Sequence, residues 1–240
     1  MKTIRLSDLL TMDYDAYERH SVVSRLLRIA KLPANARVLD VGGRANLLQR
    51  FASYAVIALN VDTSGDVLYG GGNLPFADDA CEAVVSLDTL EHLPRVARLS
   101  FLRECLRVAS EHVVVAAPWG SAGHNARERE LAVLYHELHG KSHIYLSEHV
   151  RYGLPGATEI ADWLSSLPVR EVHQYFAGDY VWQARHFERA TRLWAQSSDS
   201  VWARVRHLLI HLGARAVFHP VRVRTAPEPH TNRFYLVLEK

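Results

Sequence analysis

Residues 36–51 read ARVLDVGGRANLLQRF, residues 55–76 AVIALNVDTSGDVLYGGGNLPF, and residues 81–94 CEAVVSLDTLEHLP. Val38-Leu39-Asp40-Val41 is a short apolar run of the kind that forms a strand buried on both faces. It runs straight into Gly42-Gly43, where the backbone can turn close to a ligand with no Cβ in the way. Ala55 to Val61 is a second run and ends in Asp62; a third, Ala83 to Leu87, stops at Asp88. The interval from Asp40 to Asp62 is about the spacing at which a nucleotide-binding βαβ unit places its ribose-binding acid. A carboxylate at Asp62 can accept two hydroxyl hydrogen bonds, although Asp62-Thr63-Ser64-Gly65 also has turn composition.

Outward from this stretch, the chain alternates strand and helix patterns. A helix is expected over about 15–30, ended by Pro33, with Val22, Val23, Leu26 and Leu27 on its apolar face. Asn46 to Ser53 is expected to form the first crossover helix, its N-terminal amides facing an anionic group. Asp66 to Tyr69 reads as a short third strand, Leu99 to Val108 as a helix, and HVVVAA (112–117) as a fifth buried strand. Ala157 to Leu167 is helical, Val169 to Phe176 is strand six, and Phe234 to Leu238 is strand seven.

Four segments in this order resemble the class I S-adenosylmethionine-dependent methyltransferases, in the branch typified by small-molecule and ubiquinone-type enzymes. Residues 38–43 look like that family's glycine motif, and Asp62 matches its ribose-binding acid. Asn73-Leu74-Pro75-Phe76 resembles the segment bordering the adenine, and Ser86 to Pro94 the motif after strand four. The resemblance covers roughly residues 20–120. It implies a Rossmann-like, seven-stranded, mostly parallel sheet with helices on both faces and an antiparallel last strand. Helical insertions after strands five and six are expected. It also implies S-adenosylmethionine as cofactor, with Asp40, Gly42, Gly43, Arg44, Asp62, Thr63, Gly72, Asn73 and Leu87 as binding residues.

Two departures stand out. Arg44 and Asn46 occupy the places where the family's second and third glycines fall, and Gly70-Gly71-Gly72 replaces an acid common ahead of the LPF segment. Arg44 could pair with the carboxylate of the cofactor's methionyl end or point outward.

Asp88-Thr89-Leu90-Glu91-His92 carries the most chemistry. Positions i, i+3 and i+4 share a helix face, and metal-dependent relatives place Glu-x-x-Glu-His here. The simpler reading is Asp88 as N-cap with Glu91 three residues on, worth about 0.5–2 kcal/mol. Asp88 and His92 are the catalytic candidates, and no metal is expected. His92 can serve as a base only within hydrogen-bond reach of the acceptor.

The chain divides into an N-terminal helical lid (1–34), a cofactor-binding core (35–120), an acceptor-recognition insertion (121–156) and an arginine-rich helical insertion (180–224), all within one domain. Tyr14, Tyr17, Glu18 and Arg19 are candidate lid residues, or a solvated helix start. The acceptor insertion gathers histidines 124, 136, 139, 143 and 149 with Tyr135, Tyr145 and Glu148. Singly each reads as packing; together they would line a polar acceptor pocket. Residues 180–224 carry eight arginines and two acids. They could form an interfacial helix on anionic lipid, a cap on the domain, or a subunit contact.

With 240 residues and 48% hydrophobic content, one large core is within reach. A net charge of +2 announces no nucleic-acid protein. Cys81 and Cys105 have neither metal nor redox spacing, which fits a reducing cytosol. Residues 1–15 lack the apolar core of a secretory signal. A cytoplasmic location, with a peripheral membrane contact through 180–224, is the expectation. The acceptor would be a small molecule or a glycan- or lipid-linked group, and oligomeric state is left open. The rival reading is a catalytically silent scaffold on the same fold. A nicotinamide dehydrogenase is disfavoured, because the full glycine fingerprint is missing.

Overall fold

The computed structural model describes residues 12–196 and 221–240, and between them positions 201, 202, 205, 208, 209, 212 and 213. The apolar runs form one sheet of eight strands: β1 (Arg37–Val41), β2 (Ala55–Asn60), β3 (Val67–Leu68), β4 (Cys81–Leu87), β5 (Ala109–Pro118), β6 (Glu171–Asp179), β7 (Val223–Arg224) and β8 (Thr231–Glu239). Their order is β3-β2-β1-β4-β5-β8-β6-β7. The first five pair in parallel, and β8 lies antiparallel between β5 and β6.

Side chains alternate between the two faces of each strand, and the helices divide accordingly. On one face α2 (Arg95–Val108) and α5 (Ala157–Ser166) bring Leu102, Cys105, Leu106, Ile160 and Trp163 against Leu39, Val41, Val84, Val113 and Leu236. On the other, α1 (Tyr14–Ile29) buries Val22, Val23, Leu26 and Leu27 against Val38, Val85, Val114 and Tyr235. Each such aliphatic side chain contributes roughly 1.5–3 kcal/mol on full burial.

Three expectations need correction. Residues 46–53 form no crossover helix, only a 3-10 turn at Leu48–Arg50. Asn46 sits at φ +63°, outside the helical region. The space on that face is held by α1, whose Ser24 hydroxyl donates to the Phe51 carbonyl at 2.6 Å and whose His20 ring stacks on Phe51. The sheet has eight strands rather than seven, because Val223–Arg224 adds an edge strand antiparallel to β6. Two residues are too few to show a period in sequence. Arg222 and Arg224 therefore flank or form strand rather than helix.

Past β5 the chain makes α3 (Ala122–His139) and α4 (Ile144–Tyr152), separated by Gly140 at φ +65°. α6 (Tyr180–Gln196) follows β6 directly and packs on this pair through Leu131, Leu146, Ala184 and Phe187. Arg127 of α3 and Glu188 of α6 form an ion pair at 2.7 Å. The first third of the arginine-rich segment is thus a cap on α3 and α4. Its Arg204, Arg206 and Arg215 lie outside the described residues.

Candidate functional site

The carboxyl ends of β1, β2 and β4 meet at one edge of the sheet, where open α/β folds hold ligands. Gly42, at φ +84°, ends β1, and a Cβ there would meet the Thr89 hydroxyl at 2.4 Å. A Cβ on Gly43 would meet the Asp40 carboxylate at 2.1 Å. Both glycines are therefore required by close approach. Asn60, at the end of β2, donates its amide to the carbonyls of Gly42 and Gly43 at 3.3 and 3.0 Å, pinning the turn to the neighbouring strand.

Asp40 is buried, and neither of its carboxylate oxygens has a hydrogen-bond partner among the described residues. Burial pushes its carboxyl up to about 7, against a small opposing pull from Arg19. Buried carboxylates in folded proteins are ordinarily paired, so this one is built to receive a donor or a cation.

Asp62 is exposed; its carboxylate accepts from the Ser64 amide at 2.8 Å, and the Ser64 hydroxyl and then its amide lower the carboxyl from its ordinary value. The turn reading of Asp62 is thus realised. Arg44 and Thr63 are exposed beside it. Gly70, Gly71 and Gly72 have open space around them, and Asn73 is exposed after them. Arg107 fixes the adjoining LPF segment through the carbonyls of Leu74 and Phe76 at 3.0 and 2.9 Å. Leu87 faces the α1 core.

These residues partly fit S-adenosylmethionine. Asp40 could take an ammonium, Asp62 a ribose, and the glycine cradle the backbone of the ligand. The helix amides expected for its carboxylate are missing, because residues 46–53 are not helical, which leaves Arg44 as the cation at that end.

Asp88 departs from expectation. It stands at φ +50° and caps no helix; Leu90–His92 is a single 3-10 turn preceded by Thr89. Its carboxylate instead accepts from Arg19 at 2.6 Å and from Arg233 at 2.8 and 2.7 Å. Burial alone would raise the Asp88 carboxyl, but Arg233 and Arg19 outweigh it and hold it well below the carboxylate range. Asp15 bridges the same two arginines, and buried Glu18 lies 3.9 Å from Arg233. The start of α1 is therefore not a solvated face. It is clamped over the ends of β4 and β8. Arg233 was invisible to pattern reading, since it lies in the polar start of β8, ahead of the apolar run at 234–238.

Beyond Asp88, Glu91 is buried and His92 half-buried. The His92 ring lies 4.9 Å from that of His149 on α4, centroid to centroid. His92 Nδ1 is 2.8 Å from Glu148, and His149 Nδ1 is 2.8 Å from Glu128. Burial and Asp88 push the Glu91 carboxyl up to about 8. Of the histidine group, His149, His143 and Tyr145 thus gather around His92, with ring contacts from Tyr145 to both His92 and His143. Buried His124 instead donates from Nδ1 to the Trp119 carbonyl at 2.9 Å and stacks its ring on that of Tyr180. Glu128 carried no signal in the sequence.

A cleft of ≈ 720 Å³ opens next to this group. Its wall includes Arg95, Asn125, Arg129, His149, Arg151 and the first turn of α5. Gly120 at the end of β5 packs so tightly on the Leu154 carbonyl that a Cβ would approach it to 2.3 Å. Arg98, fully buried, ties the cleft together by donating to Glu159 at 3.0 and 3.1 Å and to the carbonyls of Leu93, Tyr152 and Gly153.

No family model matches the chain, and no curated protein matches it by sequence. Solved structures do match it by fold. One is a Galdieria sulphuraria protein with a provisional assignment as a sarcosine dimethylglycine methyltransferase. It has a TM-score of 0.58 at 13% identity, over 92% of this chain and 85% of that one. Another is phosphoethanolamine N-methyltransferase 2 of Haemonchus contortus, bound to phosphomonomethylethanolamine and S-adenosylhomocysteine. It has a TM-score of 0.54 at 12% identity, over 95% of this chain and 57% of that one. A third is the [4+2]-cyclase SpnF, with a TM-score of 0.51 at 13% identity, over 92% of this chain and 80% of that one. The fold is that of the class I S-adenosylmethionine-dependent methyltransferases. The cyclase shows that this fold also serves other chemistry.

Proposed function

We propose that the protein is an S-adenosylmethionine-dependent methyltransferase for a small, anionic acceptor. The observation that carries the cofactor assignment is Asp40: a buried carboxylate with no partner, directly under a glycine turn that tolerates no side chain. An ammonium group placed above that turn would supply the missing partner. Asp62 lies at the end of β2, where a ribose would reach it, and Arg44 stands near it. When bound, S-adenosylmethionine supplies a methyl group on a positively charged sulfur.

The protein's own work is then positioning, which can supply much of such a reaction's acceleration. The clamp of Arg19, Arg233, Asp15 and Asp88 fixes the start of α1 over the strand ends. Asp88 acts here as a positioning residue, since both its oxygens are taken by guanidinium groups. The acceptor side is the cleft beside His149. Arg129 and Arg151 are exposed on its wall. Gly156 begins α5 with no side-chain cap, so the first amides of α5 are open to an anion. A carboxylate or phosphate on the acceptor is the group these features recognise.

A lipid-linked acceptor, with the protein at a membrane surface, is the second reading. Val201, Trp202 and Leu209 favour it, exposed at 71, 74 and 61% in the arginine-rich segment. No described helix is long and apolar enough to cross a membrane.

The test is transfer of labelled methyl from S-adenosylmethionine into a cell extract separated into anionic small molecules, neutral small molecules and lipids. Label should enter the anionic small-molecule fraction and fall at least about tenfold with Arg129→Gln and Arg151→Gln combined, a loss of about 1.4 kcal/mol. Label confined to lipids would support the second reading. Cofactor binding with no labelled product in any fraction would leave the scaffold reading standing.

A further inference from the structure

Glu91, His92 and His149 each offer a ligand atom, and these atoms lie within 4.8 Å of one another. We propose that the three side chains form a binding site for a divalent transition-metal ion, held by two imidazoles and one carboxylate.

The tautomers point this way. His92 Nδ1 faces the Glu148 carboxylate and His149 Nδ1 faces the Glu128 carboxylate, each at 2.8 Å. A carboxylate accepts, so each Nδ1 carries the proton and donates it. Each Nε2 is left with its lone pair available to a ligand. Paired carboxylates of this kind orient imidazoles for a metal and raise their basicity. Both second partners come from outside the Glu91–His92 turn, Glu128 from α3 and Glu148 from α4.

The orphaned atoms agree. His149 Nε2 and Glu91 Oε2 are buried with no hydrogen-bond partner among the described residues. His92 Nε2 stands 4.0 Å from Glu91 Oε1, too far for a hydrogen bond and suited to a shared ion between them. A proton shared by Glu91 and His149 would satisfy those two groups alone. A cation satisfies all three.

Asp88 is excluded from the ligand set, because Arg19 and Arg233 occupy its oxygens. The set therefore differs from the Asp88, Glu91 and His92 grouping that the sequence offered, and its chemistry differs with it. Two nitrogen donors suit zinc, cobalt, manganese or iron(II); magnesium prefers an all-oxygen shell. Three protein ligands leave a coordination position open. His149 also lines the acceptor cleft, so that position faces an incoming acceptor. An acceptor oxygen bound there would lose its proton more readily, and His92 would serve as a ligand rather than as a base. That role rests on the methyl-transfer reading; the binding of the ion does not.

The full chain, stripped with a chelator and dialysed, is titrated calorimetrically with Zn²⁺, Co²⁺ and Mg²⁺. The same samples are titrated with S-adenosylhomocysteine, which keeps the fate of the two assignments separate. One equivalent of Zn²⁺ and of Co²⁺ should bind, with visible Co²⁺ absorption bands of nitrogen–oxygen ligation, and Mg²⁺ should not compete. His149→Ala should weaken Zn²⁺ binding by more than about 100-fold, and Glu128→Gln by roughly 10–100-fold. If His149→Ala fails to fold, Glu128→Gln decides the matter. Absence of stoichiometric binding, or equal affinity in wild type and in the folded variants, would overturn the site and leave a proton-sharing pair.

Discussion

Asp88 shows how one residue's role is set by partners far away in the chain. Read alone, it begins a turn and makes a good N-cap, for which asparagine would be nearly as good. In the fold it neutralises two guanidinium groups, one of them 145 positions along the chain and 3% exposed. A buried charge left with no partner costs roughly 3–5 kcal/mol, and here Asp15 still bridges both arginines. Asp88→Asn should therefore lower stability by less than that, about 1–3 kcal/mol in urea melts. A change below about 0.5 kcal/mol would mean that the clamp contributes nothing. Asp40 makes the opposite case. Its carboxyl is pushed up from 3.8 to about 7 by burial, so between those pH values the native state holds more protons than the unfolded chain. Stability from this group is full below about pH 4 and is lost as pH rises through 7. Relative to Asp40→Asn, the wild type should lose on the order of 4 kcal/mol between pH 4 and pH 8 at most. Parallel pH profiles for the two proteins would show that Asp40 has a partner in solution.

At the scale of elements, apolar run length carried most of the fold. β1, β4, β5 and β8 were legible because strands buried on both faces need continuous apolar residues, and the chain supplies them at 38–41, 83–87, 112–117 and 234–238; the run at 55–61 marked β2, although that strand is partly exposed. The crossover helix at 46–53 was misread because local propensity could not register that α1 fills its place. The cleft beside His149 was signalled in the sequence only by the crowd of histidines near it. Its framework is Arg98, which reads as one more charge on an amphipathic helix but is fully buried among α2, α4 and α5. Lysine keeps the charge and loses the fork that reaches Glu159 and three carbonyls together. Arg98→Lys should thus speed hydrogen exchange in residues 152–158 by at least about tenfold, equal to about 1.4 kcal/mol of local protection. Unchanged exchange there would remove Arg98 from its structural role.

For the whole molecule, the glycine turn and the cleft beside His149 lie along the same row of strand ends, joined by the turn from Asp88 to His92. α1 and β8 close one side of that row through the arginine clamp, and α3, α4 and α6 close the other. The glycine turn and the turn at Asp62 were readable because close backbone approach and a tight turn impose particular residue types at particular places. The clamp and the His92–His149 pairing were not, since each joins residues whose separation in sequence carries no period. The account stands on the cofactor edge being a working site. Thermal melting with S-adenosylhomocysteine at about 100 times its dissociation constant measures this directly. Ligand linkage at that concentration gives roughly 2.7 kcal/mol, or a rise of about 5–10 °C for a chain of this size. Asp62→Ala should abolish most of the rise while leaving the unliganded melting point within about 2 °C of wild type, as expected for an exposed residue. A wild-type melting point indifferent to the ligand would contradict the central claim and leave a methyltransferase fold without its cofactor.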